Sequence, residues 1–562
     1  MSRFVDTLIA TAASSGQHRG ITTGEPNEPV RRTWAEVHEQ ARRVAGALVV
    51  GGLRPGASVG VLAAAPALIA PVAQGVWLAG GNVTMLHQPT PRSDLEEWAE
   101  DTVRVLRMIG SDRVLLGNPF DQLASVLEQN DITFQMIDDL FEAEPIGDAV
   151  ASAEDDLALL QLTSGSTADP KAVKITHSNL YSNMTAMMER SHFDPATNTM
   201  ASWLPLFHDM GMVGLLTLPM TFGVELVKVT PADFLSSPLL WPDLISRYRA
   251  TMTAAPNFAY AITGKRMARV DADDAYDLSS LRIVLNGAEP VDEESMRTFM
   301  EAGARFGLDR STVFPAYGLA ESTLAVSFSH VGSGLHMDVV EAHPLEAENR
   351  AVPVPEGDPR RGSEEARSFA ILGPPLPGLE VVVVDENGTE LAEREVGEIK
   401  VRGEAVTPGY LTVDGPTPAL DAEGWFPTGD LGYLVDDEIV ICGRSKDVII
   451  MGGRNIYPTD IERAASAVDG VRAGNAAAVR LDAGTRRERF AVVLESKQAG
   501  DEQAEREIAK EVTRRVVDAV EFRPFSVVVL PPGSLLKTPS GKVRRAATAS
   551  EYAEQITKHG HV

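Results

Sequence analysis

The stretch LLQLTSGSTADPKAVKITHSNL, Leu159 to Leu180, decides how this chain is read. The apolar run Leu157 to Leu162 predicts a buried strand. It breaks into Thr163-Ser164-Gly165-Ser166-Thr167, small hydroxyl residues around one glycine. Such a loop turns several backbone N–H groups and hydroxyls onto one phosphate, because nothing bulky blocks close approach. Lys171 adds a mobile positive charge, and Ser178-Asn179 is expected to cap a following helix. The segment therefore reads as a polyphosphate cradle, although it lacks the G-x-x-x-x-G-K-[ST] pattern of the P-loop. Taken alone, a Ser/Thr/Gly loop is more often an ordinary turn. The surrounding chain has to decide.

Outward from this loop, short Val/Ile/Leu runs alternate with longer helical stretches. The runs are Ser58 to Ala63, Asp112 to Leu116, Glu225 to Thr230 and Leu281 to Leu285. This alternation predicts an α/β body with largely parallel sheets, whose ligand sites lie at the carboxyl ends of strands. Beyond Ile371 the texture becomes β-rich, with Glu380 to Val384, a hairpin signal at Asn387-Gly388, and Val396 to Arg402. From Asp460 onward, helices and strands predict a compact terminal α/β domain. The charged stretch between Glu341 and Phe369 has little periodicity and reads as a surface insertion.

The 562 residues are too many for one core. With 79 acidic against 51 basic residues the net charge is -28, which argues against nucleic-acid binding or an anionic membrane surface. A polyanionic substrate has to be met by locally placed cations. The single cysteine, Cys442, excludes an intramolecular disulfide and fits a cytoplasmic location. His38-Glu39 starts like a zinc helix, but Arg42 stands where the second histidine belongs. Ala57 to Gly81 is uncharged, yet its prolines and glycines predict a strand and a buried helix, Ala67 to Leu78, with no stable membrane insertion.

Further segments follow in order: NGAEP at 286–290, AYGLAE at 316–321, WFPTGD at 425–430, CGRSKD at 442–447 and LKTPSGK at 536–542. With TSGST and Lys171, this series resembles the adenylate-forming ligase superfamily over nearly the whole chain. WLPLFHDMG at 203–211 and GRNIYPTDIE at 453–462 resemble its fatty acyl-AMP ligase branch. The stretch at 341–369 lies where that branch carries an insertion associated with poor use of free CoA. Ala172, where a glycine is usual, is a small departure.

The resemblance implies a large N-terminal α/β body over 1–443, a β-rich subdomain at about 371–443, a hinge at 444–447, and a small mobile C-terminal α/β domain over 448–562. It implies activation of a medium- or long-chain fatty acid with ATP and Mg²⁺, then transfer to an acyl carrier protein or a carrier domain of a polyketide or nonribosomal synthase. A long-chain acyl-CoA synthetase and a nonenzymatic adenylate-binding protein are the alternatives. Lys542 is the expected catalytic cation, reaching the fatty carboxylate and the α-phosphate, with His208 near that carboxylate. Thr163, Ser164, Gly165, Ser166, Thr167 and Lys171 are expected at the phosphates. Gly287, Ala288, Glu289, Tyr317, Gly318, Asp430 and Arg444 are expected at adenine and ribose. Glu321 is the expected Mg²⁺ ligand, since that ion takes one or two carboxylates beside phosphate oxygens and water. Lys446 is the expected hinge, and Met210, Met212 and Phe258 are expected to line the acyl pocket.

Overall fold

The computed structural model describes residues 1–89, 93–163, 170–485, 488–538 and 542–560. They divide into two units. The first comprises Met1–Leu335, Leu372–Glu380 and Val401–Phe426; the second comprises His336–Ile371, Val381–Lys400 and Pro427–Val562.

In the first unit, the uncharged run around residue 70 becomes the interior helix Pro66–Leu78, buried continuously from Ile69 to Leu78. Trp77 Nε1 donates to Ala158 O at 2.8 Å. A Cβ on Gly75 would lie 2.6 Å from Val44 Cβ, so this glycine lets the helix pack closely on the helix Trp34–Val50. Among the described residues no helix is long and apolar enough to cross a membrane.

Two eight-stranded sheets carry the loops of interest. One runs in the order Ala325–Phe328, Val313–Gly318, Ile283–Asn286, Met252–Ala255, Thr199–Ser202, Glu225–Lys228, Gly20–Thr23, Val30–Thr33. Its interior pairings are parallel and its two outer pairings antiparallel. The other runs Gly415–Pro418, Gly409–Thr412, Lys171–Thr176, Leu157–Thr163, Asn82–Met85, Ser58–Leu62, Ser111–Leu116, Phe134–Met136. Leu157–Thr163 is parallel to Asn82–Met85 and antiparallel to Lys171–Thr176, so the phosphate-type loop joins two paired strands. The expected α/β body is present.

The helix after this loop starts one turn earlier than expected. Thr176, not Ser178-Asn179, is its N-cap. Thr176 Oγ1 accepts from Asn179 N at 3.1 Å, and Asn179 Oδ1 accepts from Thr176 N at 3.0 Å. Asn179 answers the cap from the third helical position, as in a capping box.

The second unit corrects the reading of 341–369 as a plain surface loop. The strands Met337–Glu341 and Ala366–Ala370 pair antiparallel, and the helix Ala342–Glu348 follows the first of them. Glu346 and Arg367 are only 2% and 6% exposed. A second tight hairpin, not expected from the sequence, lies further along the chain. Phe426–Val435 and Glu438–Arg444 pair across Asp436 and Asp437, whose φ values of 50° and 62° form a two-residue left-handed turn. At Asn387-Gly388 the chain turns as expected: Asp385 Oδ1 accepts from Asn387 N and Thr389 N, Leu391 N donates to Val383 O at 2.8 Å, Val384 bridges antiparallel to Glu390, and the strand that follows, Gly397–Gly403, neighbours Leu379–Val384 in the sheet.

The terminal sheet comprises Val471–Leu481, Arg489–Ser496 and Val527–Leu530. Ile508, Val512, Val516 and Val520 recur every fourth residue on the helix Glu502–Val520 and pack with Phe490, Val492 and Leu494.

His177 supplies a test of the first unit. It opens the helix His177–Arg190, is 2% exposed, and has Nδ1 2.9 Å from Ser2 Oγ. Burial pushes its pKa down from 6.5 to about 4. As pH falls, the unfolded chain takes up a proton near 6.5 that the folded imidazole refuses until about 4. Folding stability is therefore lost on acidification, by about 2 kcal/mol from this group between about pH 7 and about pH 5. In thermal unfolding across that range, His177→Gln is expected to show a shallower loss than the parent protein; an equal loss excludes His177 as a source.

Candidate functional site

Strand ends assemble the candidate site of the first unit. Thr163 closes the strand Leu157–Thr163 opposite Lys171. Thr163 Oγ1 is buried and has no partner among the described residues. Ser164, Gly165, Ser166 and Thr167 lie outside the described residues.

Lys171 and Glu321, expected to serve phosphate and metal, are brought together. Lys171 Nζ lies 3.6 Å from Glu321 Oε1 and 4.1 Å from the centre of the Tyr410 ring. Tyr410 Oη donates to the same Glu321 oxygen at 2.9 Å. Both contacts fall on Oε1. Tyr410 is placed by pairing, opposite Val173 on the strand that Lys171 begins. The Glu321 carbonyl accepts from Thr407 N at 2.7 Å, and Asn179 Nδ2 donates to Glu404 O and Val406 O. Segment 404–410 is thereby tied to the helix cap, the Lys171 strand and the Glu321 turn. Nothing in the sequence around Tyr410 announces this role.

Among the described residues no group of three or more His, Cys, Asp or Glu side chains gathers as a metal cage. A single carboxylate beside the Lys171 cation matches Mg²⁺, which keeps waters and phosphate oxygens as its other ligands. The residues present fit the ion.

The loops expected at adenine show the backbone features of close approach. Ala288 has φ +73°, a conformation rare for a residue with a Cβ. A Cβ on Gly318 would lie 2.1 Å from Leu324 O, so only glycine fits beside the half-buried Tyr317. Gly287 leaves more space, its nearest neighbour being Ala316 O at 3.3 Å. Glu289 holds a neighbouring helix, with Oε1 accepting from Phe258 N at 2.9 Å.

The segment Trp203–Gly211 presents His208. Its Nδ1 lies 2.6 Å from Asp209 Oδ1 and accepts from Met210 N at 3.3 Å. A Cβ on Gly211 would lie 2.0 Å from Pro205 O, so the turn closes only with glycine there. A wide helical turn, Met210–Thr217, follows. Met210 and Met212 are 8% and 0% exposed. Phe258 is half-buried, edge-on to Trp203 at 6.2 Å.

Three buried or half-buried polar residues around this segment were not anticipated. Gln161 Nε2 donates to Phe207 O at 2.9 Å. Lys228 reaches Leu204 O and Ser202 Oγ. His87 lies edge-on to Phe207 at 5.5 Å, and burial, helped by His208, pushes its imidazole down to about 4. Gln161 left one legible trace, a polar residue inside an otherwise apolar strand.

Asp430, Arg444, Lys446 and Lys542 belong to the second unit. Asp430 and Arg444 face each other across the ladder, with Arg444 Nε 2.8 Å from Asp430 Oδ1. Asp430 is 5% exposed, and its backbone N–H donates to Thr428 Oγ1 at 3.0 Å. Lys446 is exposed, its carbonyl accepting from Arg480 Nη1 at 3.3 Å. Lys542 is exposed too; its backbone N–H donates to Thr538 Oγ1 at 3.0 Å, and Thr538 N returns a bond to Lys542 O at 2.8 Å. Pro539, Ser540 and Gly541, between them, lie outside the described residues. Lys537 is committed instead to Gly474 O and Asn475 Oδ1.

Comparison with known proteins identifies the assembly. The chain is 54% identical over 547 residues to the Rv1013 protein of Mycobacterium tuberculosis, covering 97% of this chain and 99% of that one. It is 36% identical over 411 residues to JamA of Moorena producens, a medium-chain-fatty-acid–[acyl-carrier-protein] ligase, covering 71% of this chain and 68% of that one. A solved structure from work on fatty acyl-adenylate ligases of E. coli and L. pneumophila is similar with a TM-score of 0.89 at 28% identity, over 99% of both chains. The model of the AMP-binding enzyme family matches residues 10–411, and the chain belongs to that family, as an ATP-dependent, AMP-forming ligase.

Proposed function

We propose that this ligase activates a medium- or long-chain fatty acid and loads it onto the phosphopantetheine thiol of a carrier protein or carrier domain, in the cytoplasm. The observation that supports this most is the whole-length similarity to fatty acyl-adenylate ligases. In the first step a carboxylate oxygen bonds to the α-phosphorus of ATP, the bond to the bridging oxygen breaks, and pyrophosphate leaves. No proton moves, because a fatty acid of pKa about 4–5 is already ionised at neutral pH. In the second step the thiol sulfur bonds to the acyl carbon, AMP leaves, and the thiol proton passes to solvent.

The chain's own groups then act by charge and position. Lys542 holds the carboxylate against the α-phosphate. Lys171 and the Thr163–Thr167 loop hold the phosphates. Tyr317, with Gly287, Ala288, Glu289 and Gly318, receives the purine, and Asp430 with Arg444 receives the ribose. Glu321 would hold Mg²⁺, which supplies charge neutralisation on the departing phosphates. Met210, Met212 and Phe258 border the acyl chain. Lys446 is the proposed hinge, with residues 444–447 separating a body over 1–443 from a terminal domain over 448–562.

The choice of carrier over free CoA is supported by the insertion. Arg367 is buried with Nη2 2.7 Å from Glu346 Oε1 and Nε 3.1 Å from Asp460 Oδ2, and it donates to Ala519 O at 3.0 Å. Arg454 pairs with the same Glu346. The insertion is thus latched to residues of the terminal helices, and a latch of this kind limits the rotation that admits a second substrate.

Three outcomes test these assignments. Lys542→Ala is expected to lower fatty-acid-dependent ATP–pyrophosphate exchange by about a hundredfold or more with unchanged circular dichroism; near-normal exchange removes Lys542 from the chemistry. Tyr410→Phe frees Glu321 Oε1 and is expected to raise KM for Mg·ATP by roughly tenfold while leaving KM for the fatty acid alone. Offered free CoA and holo-carrier protein, the parent protein is expected to load the carrier, and Arg367→Met to gain acyl-CoA formation. Prompt acyl-CoA formation by the parent protein would instead identify an acyl-CoA synthetase.

A further inference from the structure

Lys228 ends the strand Glu225–Lys228 and is 1% exposed. Burial alone pushes its ammonium well below the ordinary lysine range, and no carboxylate is paired with it among the described residues. A long side chain fixed in the interior loses rotamer entropy, and a buried charge without a partner is costly. A lysine in such a place is retained for the hydrogen bonds that it makes.

Those bonds are two, and both go to one turn. Nζ donates to Ser202 Oγ at 3.0 Å and to the Leu204 carbonyl. Ser202 Oγ also accepts from Leu204 N at 3.1 Å. Lysine, serine and the Leu204 peptide therefore close a ring just beyond the strand Thr199–Ser202. At the far end of the turn, Gln161 Nε2 takes the Phe207 carbonyl at 2.9 Å. Between them, Trp203 lies flat on Phe234 at 4.0 Å. The next residues are His208 and Asp209. An arginine would bring a permanent charge and a broader fork to the same space.

We propose that Lys228 is a positioning residue. Its amine holds the Leu204 carbonyl so that the Trp203–Phe207 turn presents His208 and Asp209 to the carboxyl end of the acyl substrate. The proposal rests on the fatty-acid activation reading for what His208 meets, but the tethering of the turn stands apart from it.

Lys228→Met keeps the length of the side chain and removes both donors. Its KM for dodecanoate in ATP–pyrophosphate exchange is expected to rise by about tenfold, with KM for ATP unchanged. Amide hydrogen exchange is expected to quicken over 203–212 and to stay at parent rates elsewhere. Ser202→Ala, a milder change that keeps the lysine, is expected to raise the same KM by about threefold and judges the proposal if Lys228→Met does not fold. Unchanged KM for dodecanoate with intact protection of 203–212 overturns the proposal. So does protection lost evenly over the unit with both KM values moved together, the mark of a merely structural lysine. If the parent protein shows no fatty-acid-dependent exchange, the activation reading falls, and protection of 203–212 alone still decides whether Lys228 holds the turn.

Discussion

Everything placed at the first unit's strand ends depends on the Glu321 carboxylate. One of its oxygens meets Lys171 and takes the hydroxyl of Tyr410, while its own carbonyl takes Thr407 N. Two segments distant in sequence converge on that one residue. In a chain of net charge -28, a polyphosphate is attracted only where a cation is locally held, and a lysine is held where a carboxylate steadies it. A lysine pinned to one carboxylate is also a cation that can be exchanged. On the proposed reading, phosphate oxygens and a divalent ion would give each partner a new counter-charge.

The same logic governs the loops that carry no charge. A backbone that leaves a strand to serve a ligand gives up its ladder bonds, and its carbonyls still need donors. Lys228 supplies one from the adjacent strand, and Gln161 another from a strand of the other sheet. Glycine appears where the backbone is crowded: Pro205 O occupies the space of a Gly211 Cβ, and Leu324 O that of a Gly318 Cβ. Rigid loops and missing side chains are thus parts of a single solution to close approach.

In the second unit the insertion is held by charge as well as by the apolar packing of Leu345 and Ala351. Arg367, Glu346, Asp460 and Arg454 form a chain of ion pairs that is largely shielded from water. Such a network costs desolvation and contributes directionality, since each member is satisfied in only one arrangement. That property suits a latch better than an apolar contact, which tolerates sliding. Asp430 and Arg444, read separately from the sequence as ribose contacts, turn out to face each other across a hairpin.

The sequence by itself determined the α/β body, the terminal domain, the interior helix at Pro66–Leu78 and the family, because apolar periodicity and short Gly-rich motifs are local properties. It also named Lys171, Glu321, His208, Asp430 and Arg444. It misassigned the cap at Thr176, where two Asx/Thr choices lie within one turn, and it missed the hairpin at Asp436–Asp437, since aspartate is a weaker left-handed signal than Asn-Gly. The insertion's buried ends were hidden because charged residues read as exposed until their partners are known. Only tertiary structure decided those partners: Tyr410 with Glu321, Lys228 with Leu204, Arg367 with Asp460. Pairing across dozens or hundreds of residues is set by how sheets and helices stack, and no local pattern of side chains encodes it.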